Sequence, residues 1–182
     1  MGRKLKYHEQ KLLKNVNIYS WKIDNKAYDF RAIKKYVLKN REEYTTYNKL
    51  SREIRLVAKK ISELDATNPF RNECSARLLK KLYDMGLIPK ISNLEDVDRI
   101  TASTFCRRRL PVIMVAQKMA ETIQTASQFI EQGHVRVGPE LVKDPAFFVT
   151  RNMEDFITWV NTSAIKRHVM EYNNQRDDFE MM

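Results

Sequence analysis

The sequence predicts an α+β protein that is mainly α-helical, with a helical N-terminal region followed by a small domain of two helices and short strands. Two observations predict this class. Apolar residues recur every three or four positions over much of residues 31–130, which is the period of a helix with one buried face. The period then falls to two at His134, Val135, Arg136 and Val137, directly after a glycine, as is typical of a short strand.

The composition favours a globular chain with a polyanionic partner. Thirty-three lysines and arginines stand against 23 acidic residues, which gives a formal net charge of +10 over 182 residues. Hydrophobic residues make up 43% of the chain, which is enough for a core that folds unaided. RNA, DNA and acidic proteins all fit this charge, but the clustering of cations at the N-terminus and at Arg107–Arg109 favours nucleic acid.

The remaining composition argues against an enzyme, a cofactor site and a secreted protein. The chain has three histidines and lacks a glycine-rich phosphate loop, a GxSxG motif and closely paired cysteines, so neither catalysis nor a metal or cofactor is expected. Cys74 and Cys106 are predicted to be free thiols in a reducing compartment. Without a long apolar run or a signal-like start, we expect a soluble intracellular protein.

Residues 1–30 are predicted to form a basic N-terminal arm. Residues 3–14 hold five cations and one acid around Leu5, Leu12 and Leu13, so a helix there would have a narrow apolar stripe and a broad basic face. Such a face is suited to RNA, although a solvated basic arm is an equally good interpretation. The candidate RNA-binding residues of the arm are Arg3, Lys4, Lys6 and Lys11.

The second segment, residues 31–104, is predicted to be helical. Apolar positions from 31 to 64 recur at steps of three, four or seven, which indicates one long amphipathic helix or two helices with a break near Asn40. Tyr44 and Tyr47 fall on this apolar stripe. Their position is more typical of core residues than of a platform on which bases stack.

Local signals predict the helix ends in the rest of this segment. Asn68 and Pro69 predict a helix start, because asparagine caps the free amides and proline is tolerated in the first turn. Gly86 predicts the end of that helix. Ser92 and Glu95 have the spacing of a capping box, which predicts one further short helix before residue 105.

The small domain is predicted to span residues 105–150, and its first helix is strongly basic. Arg107–Arg109 and Lys118 occur without an intervening acid, so a surface there would attract phosphate. We expect Pro111 to begin a fresh helix, because proline costs about 3 kcal/mol in a helix interior. The buried stripe of this helix is predicted to be Leu110, Ile113 and Met114.

A second helix and a small sheet are predicted to complete the domain. Thr122 can cap the helix start, and Gly133 can adopt the left-handed conformation that ends it. Gly138 and Pro139 then predict a turn between two short strands, and residues 146–149 are expected to supply another strand.

Residues 151–182 are predicted to be a C-terminal helical extension. Asn152 is expected to cap a turn that contains Phe156 and Trp159, and Ser163 is expected to cap the last helix.

Two short helices that lead into a small sheet, with the turn sequence QGHVRVGPELVKDP, resemble the RNA-binding domain named after ribosomal small-subunit protein four. The shared features are Arg109-Leu110 at the start of the first helix, Ala126 in the second helix and the turn 133–137. Ser127 departs from the pattern, because an arginine often contacts RNA at that position. Pro111 also departs, since acids or amides are common there.

The resemblance extends along the chain. The stretches KYHEQKLLK, LLKKLYDMG, FCRRRLPVIM, KMAETIQTA and VTRNMEDFITWV are similar to the Imp-three family of the U-three small nucleolar ribonucleoprotein. This resemblance implies a factor of the nucleus and nucleolus that helps the U-three small nucleolar RNA to pair with the ribosomal RNA precursor, for early processing of small-subunit RNA in the small-subunit processome. It also implies two protein partners, the M-phase phosphoprotein scaffold and the Imp-four protein.

The charge pattern and the family motif together nominate the RNA-binding residues of the domain. They are Arg107, Arg108, Arg109, Lys118, His134 and Arg136. Two other function classes stay open at this point. One is a structural protein of the small ribosomal subunit from the same wider family. The other is a protein-interaction adaptor that uses Trp21, Trp159 and the long helix, with RNA binding incidental.

Overall fold

The computed structural model of the protein describes residues 3–15, 26–65 and 67–173. Trp21 and residues 16–25 of the predicted arm therefore lie outside the described residues, while residues 26–30 of that arm belong to a helix. The elements are, in chain order, α1 (Tyr7–Asn15), α2 (Lys26–Tyr36), α3 (Arg41–Ser62), α4 (Pro69–Asp84), α5 (Glu95–Asp98), α6 (Ala102–Arg107), α7 (Leu110–Ala116), α8 (Ile123–Glu131), β1 (Val135–Val137), β2 (Glu140–Leu141), α9 (Arg151–Glu154), β3 (Ile157–Trp159) and α10 (Ala164–Tyr172). This arrangement confirms the mainly α-helical α+β class. Within the described ranges, no helix combines the length and apolar character that a membrane span requires.

Two helices, α2 and α3, cover most of residues 31–64, where the sequence allowed either one or two. Val37 adopts a positive φ of 50° and the amide of Leu38 donates to the carbonyl of Ile33 at 3.1 Å, which closes the end of α2. Asn40 then stands in an extended conformation before α3. The predicted break near Asn40 is thus confirmed.

The start and end of α4 follow from its flanking residues. The Asn68 side chain accepts a hydrogen bond of 3.0 Å from the amide of Phe70, and Pro69 occupies the first turn. Gly86 lies just beyond the helix with a φ of +73°. Both predicted ends are therefore confirmed.

The predicted capping box before α5 is wrong, although the short helix exists. Leu94 holds the N-cap position and makes no side-chain cap hydrogen bond. The hydroxyl of Ser92 instead donates to the carboxylate of Asp96 at 2.7 Å. Ser92 therefore fixes the loop to the helix through an acidic side chain rather than through a free amide.

The module, by which we mean α7, α8 and the sheet, has its own apolar core. Leu110, Met114, Ala126 and Ile130 are completely buried where α7 packs against α8. The helical conformation is interrupted at Arg109, and Pro111 lies in the first turn of α7, so the prediction of a fresh helix is confirmed.

The helix starts of the module are also as predicted. Thr122 and Thr125 form a reciprocal capping box at the start of α8, which confirms the predicted cap. Gly133, with a φ of +77°, ends that helix.

The sheet has the order β2-β1-β3, with both neighbours antiparallel to β1. β1 and β2 form the predicted hairpin, and Val137 of β1 is paired with Ile157 of β3. The strand expected at residues 146–149 is absent from the described structure. Phe148 makes only an isolated bridge with Arg109.

The third strand comes instead from the segment that the sequence assigned to the helical extension. The expected turn capped by Asn152 is wrong, because Thr150 holds the N-cap position of α9 and Trp159 lies in β3. Ser163 does cap α10, since its hydroxyl accepts the amide of Ile165 at 3.2 Å. The start of the last helix was therefore predicted correctly.

A second apolar core holds α3, α4 and the following turns together, and α6 joins it to the module. Phe105, which is 5% exposed, belongs to this helical core and stacks on Tyr47 with the ring centroids 5.8 Å apart. On its other side Phe105 packs against Phe148, with the ring centroids 6.2 Å apart. Tyr44 also packs against a small buried cluster next to Cys106. The predicted core role of the two tyrosines is thereby confirmed.

Candidate nucleic-acid interface

The three consecutive arginines do not share one face of the protein. α6 ends at Arg107, whose side chain is exposed. The backbone then leaves the helical conformation, and Arg109 is extended with φ −72° and ψ 144°. This break turns the side chains of Arg108 and Arg109 inward. Only Arg107 of the three is therefore presented to a partner.

Arg109 is an internal residue, and we remove it from the predicted RNA-binding set. It is 1% exposed, forms an ion pair with Glu43 of α3, and donates to the hydroxyl of Tyr47 at 3.2 Å. Burial acts to lower the pKa of Arg109, but its contacts with Glu43 and Tyr47 outweigh burial and raise that pKa above its ordinary value. The guanidinium stays charged and fixes α7 to α3, out of reach of phosphate.

Arg108 is the second correction to that set. Its side chain is 11% exposed and pairs with Glu154 of α9. Two of its nitrogens, Nε and Nη2, donate to the carbonyl of Val149 at 2.9 and 2.7 Å. These bonds hold the chain that leads into α9, so Arg108 organises the site from within.

Gly86 leaves the space that the Arg108 guanidinium occupies. A Cβ atom at Gly86 would lie 2.6 Å from Arg108 Cζ, and the φ of +73° is itself unfavourable for other residues. We expect Gly86→Ala to lower the free energy of unfolding by about 2–3 kcal/mol, as measured by urea denaturation. Gly138→Ala is the matched control, because φ is +60° there but nothing lies within 4 Å of the added Cβ. Equal losses in the two variants would contradict a steric role for Arg108.

Lys118 remains a candidate phosphate contact. Its φ of 62° and the hydrogen bond from its amide to Val115, at 3.1 Å, end α7, and the side chain is exposed. Lys118 and Arg107 make no side-chain hydrogen bond or ion pair with the described part of the chain. Both charges are thus available to an RNA phosphate.

Arg136 lies on β1 and His134 directly precedes that strand; both are partly buried, but their hydrogen bonds differ. His134 is half-buried, and its Nδ1 shares a hydrogen bond of 3.0 Å with the hydroxyl of Ser163, so it attaches α10 to the sheet. Arg136 is half-exposed and donates from Nε to the hydroxyl of Thr158 at 3.0 Å. That bond leaves the two terminal nitrogens of Arg136 without a partner among the described residues. Arg136 is therefore the better candidate.

Lys143 is an exposed cation on the same edge that the sequence reasoning missed. It lies beside the turn after α8, with its Cε 3.4 Å from where a Cβ of Gly133 would be. Leu141, which is 48% exposed, is paired with Arg136 across the hairpin. The signal for Lys143 was its place two residues beyond Leu141 in the strand alternation.

The predicted cations of the arm are exposed, but they are not equivalent. Arg3 forms an ion pair with Glu9, and the other oxygen of that carboxylate accepts the amide of Lys6 at 2.8 Å. The side chains of Lys4, Lys6 and Lys11 are free of such contacts within the described residues. Arg3 therefore has an acidic neighbour in a weak, exposed ion pair, while the three lysines have none.

Ser127 explains how this chain differs from the pattern of the small RNA-binding domain. It is 8% exposed and its hydroxyl donates to the carbonyl of Ile123 at 2.9 Å. The middle of α8 therefore offers no cation at this position. In the described ranges, no cluster of three or more histidine, cysteine or acidic side chains is suited to a metal ion.

Two family descriptions match the chain and meet inside the arginine run. Residues 4–107 match the Ribosomal protein S4/S9 N-terminal domain, and residues 108–155 match the S4 domain. The boundary lies between Arg107, which faces solvent, and Arg108, which faces the core.

Full-length relatives decide the family. The U3 small nucleolar ribonucleoprotein protein IMP3 of Mus musculus is 54% identical over 182 residues, which covers 100% of this chain and 99% of the relative. The protein of the same name from Saccharomyces cerevisiae is 53% identical over 181 residues, with 99% of both chains covered. The chain belongs to the IMP3 family. The predicted resemblance is thereby confirmed.

The IMP3 family is itself related to a ribosomal protein. Small ribosomal subunit protein uS4 of Caldivirga maquilingensis is 34% identical to this chain over 157 residues, covering 85% of the chain and 86% of the relative. The IMP3 relatives are therefore more similar to this chain than uS4 of Caldivirga maquilingensis is, and their match extends over more of the chain.

Proposed function

We propose that the protein is an RNA-binding component of the U3 small nucleolar ribonucleoprotein, acting in the small-subunit processome during ribosomal RNA processing. The observation that carries the proposal is identity of 49–54% across the chain to proteins named U3 small nucleolar ribonucleoprotein protein IMP3. The S4 domain and the net charge of +10 support a role in binding RNA. We place the protein in the nucleolus, as the names of these relatives suggest.

The mechanism that we propose is positional rather than catalytic. The protein helps the U3 small nucleolar RNA to pair with the ribosomal RNA precursor, because cations that neutralise phosphates lower the repulsion between two strands. Phosphate contacts fix the position of an RNA without reading its sequence, so base pairing supplies the specificity. The M-phase phosphoprotein scaffold and the Imp-four protein are the protein partners in this proposal, and no enzymatic step is assigned to the chain.

The accessible cations of the module, together with Arg107 at the end of α6, are the groups that carry this mechanism. Arg107 and Lys118 have no bonded partner in the described structure, and Arg136 keeps two terminal nitrogens available. Lys143 adds a fourth charge beside the hairpin. Arg108 and Arg109 contribute indirectly, because their ion pairs hold α9 and α3, respectively, next to the start of α7.

Crosslinking of the protein to RNA in cells, followed by sequencing of the attached RNA, tests the proposal. We expect recovery of the U3 small nucleolar RNA together with leader sequence of the ribosomal RNA precursor. Recovery of mature small-subunit RNA alone would favour a second candidate function, a structural ribosomal protein. The similarity to uS4 is the observation that supports that candidate. Sedimentation separates the two, because a processing factor is found with precursors and a structural protein with mature subunits.

A binding measurement tests the proposed phosphate contacts. Arg107→Gln combined with Lys118→Gln should lower the slope of log Kd against log salt by about 1.4 for an unstructured 18-nucleotide oligouridylate, since each contact to single-stranded RNA contributes about 0.7. The matched control removes one lysine and one arginine from the exposed side of α3, by Lys49→Gln and Arg52→Gln. Equal slopes for the two pairs of substitutions would show that net charge, and not this surface, determines binding.

A further inference from the structure

A second basic surface lies outside the module, in a groove between α4 and the start of α9. The groove has a volume of about 360 Å³. One wall consists of polar residues of α4, and Thr150 and Asn152 form the other wall. The α4 residues of this wall are Arg77, Lys80, Lys81 and Asp84.

Helical spacing places the three cations of α4 on one face. Lys80 and Lys81 follow Arg77 by three and four residues, the separations at which side chains of a helix are neighbours. The opposite face of α4 is apolar, with Leu79 and Leu82 buried in the helical core. The cations therefore point away from the core and into the groove.

Arg151 holds the second wall against α4. Its guanidinium lies 4.2 Å from the ring centroid of Tyr83, and its Nη2 donates to the carbonyl of Ile88 at 2.8 Å. These contacts fix α9 next to α4, so that Thr150 and Asn152 face the lysines across the groove. The cations of α4 thus lie next to a second wall that Arg151 holds in place.

The charges of the groove suit phosphate. Arg77 is paired with Glu73, but both side chains are exposed, so this pair is weak and can exchange its partner. Lys80 and Lys81 have no side-chain partner among the described residues. Asp84 is the one acid among the lining residues. The Thr150 hydroxyl and the Asn152 amide add neutral donors that phosphate oxygens can accept from.

The groove also lies close to the module surface. The Gln117 side chain donates to the carbonyl of Glu154 at 2.7 Å, which places the end of α7, and Lys118 with it, beside the end of α9. α9 has only four residues, a length of about 6 Å, and the groove lies at its other end. The charge of Glu154 between them is taken up by Arg108.

We propose that the groove between α4 and α9 binds the phosphate backbone of RNA, extending the contact of the module across α9 onto the helical region. This inference rests on the proposed RNA-binding function. Its consequence is that one RNA strand contacts both family segments, because α4 belongs to the first and α9 to the second. Bound RNA would then hold the two segments together.

Removal of the two lysines tests the inference. Lys80→Gln with Lys81→Gln should lower the salt slope of binding by about 1.4 for the same 18-nucleotide oligouridylate. Lys59→Gln with Lys60→Gln is the matched control, because it changes an adjacent pair of exposed lysines in the last turn of another helix, α3. That control pair should leave the slope within about 0.3 of the wild-type value. Circular dichroism confirms that each variant keeps its helices.

A variant that is expected to increase RNA affinity distinguishes a specific effect of the lysines from a general loss of structure. Asp84→Asn removes the acid of the groove and should tighten binding of the same RNA several-fold at low salt, which a misfolded protein would not do. A slope unchanged by the Lys80 and Lys81 substitutions, but lowered by those at Arg107 and Lys118, would overturn the groove and leave the proposed function standing. Failure of the wild-type protein to bind would overturn both. Equal effects of the Lys80 and Lys59 pairs would also overturn the groove.

Discussion

Glu43→Ala is expected to lower the free energy of unfolding by about 3–5 kcal/mol, because it leaves a buried charge without its partner. Arg109 is 1% exposed and its ion pair with Glu43 is the contact that compensates its burial. The hydroxyl of Tyr47, at 3.2 Å, is neutral and cannot replace the carboxylate. Urea denaturation followed by circular dichroism measures the loss.

Glu42→Ala is the matched control for this prediction. Glu42 lies in the same first turn of α3 and makes the same favourable contribution to the helix end, but its side chain is exposed. We expect a loss of at most about 1 kcal/mol for it. A double-mutant cycle completes the test, since Arg109→Met should make Glu43→Ala less damaging by removing the orphaned charge. A cost for Glu43→Ala as small as that for Glu42→Ala would refute the buried pair.

Phe105→Ala should cost about 3–5 kcal/mol, the usual loss when a buried phenylalanine is truncated. Phe105 is 5% exposed and fills the space between Tyr47 in α3 and Phe148 in the loop between β2 and α9. Its removal opens a cavity where the two cores meet, so both should lose stability together. The loss is measured by urea denaturation followed by circular dichroism.

Phe70→Ala provides the comparison for this truncation. Phe70 lies in the first turn of α4 and is 60% exposed, so we expect a change within about 0.5 kcal/mol. Should the two phenylalanine variants unfold at the same urea concentration, Phe105 could not be the residue that joins the cores.

The ends of α4 and α8 were predictable because their signals are local, whereas the predicted caps of the four-residue helices α5 and α9 were wrong. The Asn68 side chain caps α4 through an amide two residues away, and Thr122 caps α8 through one three residues away. Gly86 and Gly133 end helices through their own backbone conformation. Each of these signals acts within one helical turn, so the neighbouring sequence contains nearly all the information.

The directions of the arginines were not predictable, because they depend on residues far along the chain. Three consecutive cations favour an exposed surface, and that expectation holds for Arg107 alone. The acids that draw Arg108 and Arg109 inward are 46 and 66 residues away. No periodicity links such positions, so the sequence could nominate a basic site without separating its surface from its support.

The prediction of the sheet was wrong in part, because strand pairing also depends on residues that are far apart in the chain. Residues 146–149 have the composition of a strand, yet β1 is already paired with β2 on one side and with β3 on the other. The alternation from Ile157 to Trp159 covers only three residues, too short to stand out from a turn. Strand partners were decided by the packing of the whole module and not by local preference.

The acid partners of Arg108 and Arg109 lie on opposite sides of them in the sequence, which also imposes an order on assembly during synthesis. When Arg109 leaves the ribosome, its partner Glu43 has already emerged, 66 residues earlier. The partner of Arg108, Glu154, is 46 residues later in the chain. Synthesis of those residues takes roughly 2–9 s at about 5–20 residues per second. Arg109, the second residue of the second family segment, can therefore pair with the first segment while the rest of the second is still incomplete. Until Glu154 emerges, the nascent chain carries Arg109 in its ion pair with Glu43 next to an Arg108 that has no acidic partner.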